Sequence, residues 1–169
     1  MPHLNKPQPR LRPNRRSPAP HDAISPPSGT SVFLTLDARL TQALGGAEPP
    51  ASLQRAGALL QALRQTFDGE LRRWCPLVPD LAPDLTMGRV RDPARELGLD
   101  LSDLRVLYRA LRVVWLAELV FGERELAHRW LSQPKRCLQG RVPLLLCQHG
   151  RYAAMIEQWL VNIDEGNGP

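Results

Sequence analysis

The chain contains no glycine-rich phosphate loop of the P-loop or dinucleotide type, no GxSxG elbow and no HExxH motif. Three common routes to phosphate, ester and metal-assisted chemistry therefore lack their residues. Glu118, Glu123 and Glu125 lie close together, but a helix start and a solvated face account for them better than a catalytic acid pair. Cys75, Cys137 and Cys147 are far apart, form no CxxC pair and are odd in number, which argues against a disulfide framework and for a reducing cytoplasm. Cys137 and Cys147 stand among leucines, where cysteine behaves as a small hydrophobe. His3, His21, His128 and His149 share no metal-ligand spacing with one another or with the cysteines. No apolar run reaches the length of a membrane span, and none follows the N-terminal arginines as a secretory signal requires. Strand-like alternation of useful length is absent as well. The expectation is an all-α, cytoplasmic, non-enzymatic protein with no metal, no cofactor and no membrane partner.

The charge surplus is real but local. Of a net +5, residues 1–30 carry +4, from Lys6, Arg10, Arg12, Arg15 and Arg16 against Asp22. The rest of the chain is nearly neutral. The same thirty residues hold eight of the seventeen prolines and few large apolar side chains, too few to offset the entropy of ordering them. Residues 1–34 read as a disordered, basic, Pro/Arg-rich tail, a solubilising segment in preference to a phosphate-binding arm.

Beyond the tail the chain reads as helices, with residues 35–101 an N-terminal helical region and 102–169 a second unit. Leu53, Ala56, Leu60, Leu63, Phe67 and Trp74 recur at spacings near three and four, predicting an amphipathic helix from Ser52 to Trp74 with Ser52 as N-cap and a weak point at Asp68-Gly69. The connector after Cys75 has a proline every few residues and reads as irregular. Ser102–Phe121 is the strongest helix, apolar nearly all round in its second half, with Gly122 as its C-cap. Shorter helices are expected at Glu123–Ser132, at Pro143–Cys147 and at Arg151–Ile163.

Two features invite a functional reading. Ala94, Gly98 and Leu104 have the relative spacing of a helix-turn-helix, whose second helix would present Arg105 and Arg109, with Arg95 beside them, to operator DNA. Pro93, the Asp100 and Asp103 pair and the apolar continuation of the helix argue against it. The other feature is "RWLSQPKRCLQGRVPLLLCQHG", where Pro134, Gly140, Pro143 and Gly150 interrupt an apolar region again and again. A catalytic loop, a DNA-reading turn and a preformed docking surface are the alternatives.

From Phe121 onward the chain resembles the toxin-binding domain of the Xre/MbcA/ParS antitoxin family. The resemblance rests on "FGERELAHRWLSQPKRCLQGRVPLLLC" followed by "GRYAAMIEQWLVNIDEG". Phe121, Gly122, Ala127, Trp130, Leu131, Pro134, Leu138, Gly140, Arg141, Pro143, Leu144, Leu146, Gly150, Ile156, Leu160, Ile163 and Gly166 occupy that family's pattern. The chain departs from it at Lys135, Arg136 and Cys137, where an Asn-Pro-Ala type sequence is common, and at Gln139, where glycine is frequent.

The resemblance implies an antitoxin that binds and neutralises a RES-domain, NAD-consuming toxin, as a homo-oligomer within a toxin–antitoxin complex. It implies toxin contacts at Trp130, Leu131, Pro134, Leu138, Gly140, Arg141, Pro143, Leu144, Ile156, Trp159, Leu160, Ile163 and Gly166. Core packing competes with contact for Trp130 and Leu131, a positive φ accounts for Gly140, and Arg141 could cap helix-end carbonyls. The alternative is a DNA-binding transcriptional regulator whose C-terminal helices dimerise it.

Overall fold

Asp100 and Asp103 close a reciprocal capping box at the head of the longest helix. The Asp103 amide donates to Asp100 Oδ1 at 2.8 Å, and the Asp100 amide donates to Asp103 Oδ2 at 2.9 Å. Two of the amides that a helix start leaves unpaired are thereby satisfied. The helix ends at Gly122, whose left-handed φ of 69° suits a residue without Cβ.

The computed structural model describes residues 28–80 and 91–168. Its helices are α1 (Ser28–Leu44), α2 (Gly57–Thr66), α3 (Gly69–Trp74), α4 (Pro93–Glu96), α5 (Leu101–Phe121), α6 (Arg124–Ser132), α7 (Pro143–Leu146) and α8 (Gly150–Asp164), with 3-10 turns at Leu53–Arg55 and Arg136–Leu138. No strand occurs among the described residues, and the class is all-α. The ends of α5, α6, α7 and α8 agree with the periodicity to within a residue or two, the usual latitude for helix boundaries.

Two expectations need correction. The helix expected from Ser52 to Trp74 is three pieces: a 3-10 turn, α2 and α3. Ser52 caps only the 3-10 turn, without a side-chain hydrogen bond, and the break between α2 and α3 falls at Asp68-Gly69, where Gly69 takes a φ of 52°. The apolar stripe survives the breaks, because Ala56, Leu60, Leu63 and Phe67 are all buried. The second correction is α1. It starts at Ser28, so residues 28–34 of the expected tail are helical. Val32, Leu36 and Leu40, four residues apart, bury one face of α1, and this burial outweighs the low helix propensity of the Ser, Gly and Thr residues at its start. The tail up to residue 27 and residues 81–90 of the connector lie outside the described residues.

Helix α5 is the axis of the molecule, touching α1, α2, α6, α7 and α8. Leu104, Leu107, Leu111, Val113, Val114 and Leu116 are fully buried, as a helix apolar on most of its circumference requires. One continuous core runs from Val32 of α1 to Val161 of α8. Polar clamps tie α1 to it. Arg112 of α5 donates from Nη1 to Asp37 of α1 and from Nε to Glu157 of α8, both at 3.1 Å. Arg39 of α1 meets Glu118 of α5 at 2.7 Å and lays its guanidinium 4.3 Å from the centre of the Trp115 ring. Trp115 in turn donates from Nε1 to Thr66 Oγ1 at 3.0 Å, which satisfies the indole of a buried tryptophan.

Candidate functional site

The punctuated stretch folds into a closed loop. After α6 ends, Lys135 and Arg141 form an antiparallel bridge, the Lys135 amide donating to the Arg141 carbonyl at 3.1 Å. Between them the Lys135 carbonyl accepts from the Leu138 and Gly140 amides, both at 3.0 Å, and the Arg141 amide returns to the Leu138 carbonyl at 3.1 Å. Closing so short a loop requires two successive left-handed residues, Gln139 with φ 55° and Gly140 with φ 76°. Gly140 thus has the positive φ expected of it. Gln139 shares that conformation without being glycine, a conformation that L side chains rarely adopt.

Loop and helices together leave an open cavity of about 160 Å³, lined by Cys137, Leu138, Arg141, Leu146, Tyr152 and Met155 among others. Proline at the first position of α7 starts that helix, and α7 supplies Leu146 to the cavity, while Tyr152 and Met155 come from α8. The surroundings are cationic. From Leu126 to Ile156 there is no Asp or Glu, while Arg129, Lys135, Arg136, Arg141 and Arg151 all fall in this run. Lys135 places Nζ 5.1 Å from the centre of the Trp130 ring, and burial draws its pKa below the ordinary lysine value. Among the described residues no carboxylate pairs with Arg129, Arg136, Arg141 or Arg151.

The residues singled out in the sequence separate by depth. Leu131, Leu144, Ile156 and Leu160 are completely buried, and Leu138 and Pro143 are buried with them. They hold the loop and α8 against α5 and α6. Trp130 and Trp159 are half-buried against the core, with Trp130 also 5.9 Å from the Phe121 ring, and Ile163 is half-buried. Pro134, Gly140, Arg141 and Gly166 are exposed. Among the described residues the Arg141 side chain caps no helix-end carbonyl, and it is exposed.

Met155, Cys137 and the exposed Leu145 were not among the predicted site residues. The acid-free run around them is the signal that could have drawn attention to this surface. Cys137 corrects its expectation: it is exposed, because Leu138 takes the inward position of the 3-10 turn, whereas Cys147 and Cys75 are buried. Burial raises both of those thiols, Cys75 to about 11.

The arginines of the helix-turn-helix spacing do not act together. Arg95 and Arg105 are exposed, but Arg109 donates from Nη2 to the Gln148 carbonyl at 2.7 Å and so braces the segment before α8. The first helix of the pair, α4, is a single turn, and Asp100 and Asp103 are occupied in capping. No helix among the described residues is long and apolar enough to cross a membrane, and none of their His, Cys, Asp or Glu side chains cluster to hold a metal ion.

Comparison with known proteins bears on this same surface. Residues 116–166 match the antitoxin Xre/MbcA/ParS C-terminal toxin-binding domain. The chain is also 34% identical over 74 residues to a protein of Pseudomonas putida named Antitoxin Xre, an overlap of 44% of this chain and 46% of that relative. The chain thus spans less than half the length of the curated relative it matches. No solved structure matches it significantly. The match begins inside α5, takes in the closed loop and its cavity, and ends two residues beyond α8. Residues 116–166 are therefore similar to the Xre/MbcA/ParS antitoxin C-terminal toxin-binding domain.

Proposed function

We propose that this chain is a cytoplasmic antitoxin that binds and neutralises a RES-domain, NAD-consuming toxin, with residues 102–169 as the toxin-binding unit. The observation that carries the reading is the coincidence of the family match at 116–166 with a rigid, exposed, uncompensated surface. A loop closed on itself by five backbone hydrogen bonds loses little freedom on docking, so more of the contact energy appears as affinity. Tyrosine, tryptophan and arginine, the side chains that dominate interface energies, stand around it as Tyr152, Trp130 and Arg141.

Operator binding has less support. One turn of α4 and two exposed arginines, Arg95 and Arg105, make a small footprint on an almost neutral body. The deciding experiment is co-expression of the full chain with an adjacent RES-domain reading frame. Growth should be rescued and the two proteins should purify together. Failure to rescue and to co-purify would reject the reading, and a salt-sensitive shift of promoter DNA abolished by Arg95→Ala and Arg105→Ala would favour the regulator instead.

A further inference from the structure

We infer that the cavity between the closed loop and α8 receives a single apolar or aromatic side chain borne on an acidic segment of the toxin, an inference that rests on the antitoxin reading above. The size of the opening points to one side chain. About 160 Å³ is close to the volume of an apolar cavity that holds one benzene ring. Its walls are of the right kind, since Leu138, Leu146 and Met155 are apolar and Tyr152 presents an aromatic face. Met155 adds an unbranched, polarizable side chain that adapts to a partner's shape.

The charge around the opening selects the segment that carries the anchor. Arg141 lines the cavity, Arg136 lies in the 3-10 turn that builds it, and Arg151 precedes Tyr152 on α8. These three arginines are exposed and have no carboxylate partner among the described residues. No acid stands between Leu126 and Ile156, although the chain beyond residue 30 is nearly balanced in charge. Concentrating cations around an apolar opening favours an anionic partner and disfavours a second copy of the same basic surface. The apolar lining favours a protein over a nucleic acid, which would leave the cavity unfilled.

Cys137 makes the inference directly testable. It is the exposed thiol at the cavity, while Cys75 and Cys147 are buried. The full chain, free and in complex with the toxin isolated by co-purification, is treated with N-ethylmaleimide at neutral pH and labelling of Cys137 is followed by mass spectrometry. Protection of at least roughly tenfold in the complex is expected; equal rates in both states would show the cavity uncovered and overturn the inference. In parallel, Arg141→Glu with Arg151→Glu should melt like the parent chain, since both side chains are exposed and unpaired. It should bind the toxin at least roughly tenfold more weakly at low salt, with Arg95→Glu as a neutral control. If the double variant binds toxin like the parent, the inference fails while the antitoxin reading stands; loss of affinity for a 20-base-pair duplex instead would reassign the surface to nucleic acid. If the parent chain binds no toxin, both fall together.

Discussion

Lys135 and Arg141 face each other across a single antiparallel bridge, 3.1 Å from amide to carbonyl, and the residues between them have nowhere to turn except through the left-handed region. Gly140 sits there with φ 76°. Gly140→Val should therefore introduce strain of about 1–3 kcal/mol. The long helices hold most of the core, so toxin affinity should fall more than global stability. Thermal melting of the isolated chain and calorimetric titration with the toxin check both halves. Wild-type affinity in this variant would make the loop a mere connector.

Gln139 stands in the same left-handed region with φ 55°, and its side chain is exposed. Gln139→Gly should raise stability by about 0.5–1 kcal/mol, the relief of side-chain strain less the extra unfolded-state entropy of glycine. Denaturant unfolding of the two proteins measures it directly. A loss of stability would mean that the glutamine side chain has an unrecognised role.

Helix α1 belongs to the fold. Leu36 is fully buried against the core, and Leu36→Ala should cost about 2–5 kcal/mol through lost burial and the cavity left behind. Removing residues 1–44 should abolish cooperative unfolding altogether, while removing residues 1–27 should leave the melting temperature within a few degrees. Calorimetry on the three proteins separates these outcomes, and a stable 1–44 deletion would show α1 to be dispensable.

Glu157 offers a pH-dependent test. Burial pushes its carboxyl above the ordinary range, and the attraction of Arg112 only partly opposes this. A raised native pKa means that the folded state holds the proton more tightly, so the stability linked to this group is present in acid and lost as pH rises through the native value. Glu157→Gln mimics the protonated form at every pH. The melting temperature of the variant relative to the parent should therefore climb between pH 4 and pH 7. A difference that is flat, or falls, would mean that the ion pair with Arg112 outweighs burial.

Helix starts, stops and faces were legible in the sequence wherever their cause lies within a few residues. Gly122 ends α5, Pro143 starts α7, and the four-residue and three-residue spacing of Tyr152, Met155, Ile156, Trp159 and Leu160 marks α8. The family resemblance was legible for the same reason, since its pattern is a string of local turns. Helix α1 was harder to read, because its case rests on a few buried apolar side chains, Val32, Leu36 and Leu40, among weak helix formers.

What only the tertiary structure decided depends on partners distant in the chain. Asp37 and Arg112 are 75 positions apart, Arg39 and Glu118 are 79, and no local pattern announces either pair. Depth was decided in the same way. Leu131 and Leu144 share a motif with Arg141, yet they turn inward while Arg141 faces solvent, because α5, α6 and α8 bury one side of the loop and leave the other open. The periodicity of a sequence records which side of a helix is apolar; whether that side meets the protein's own core or awaits a partner is settled only when the helices pack.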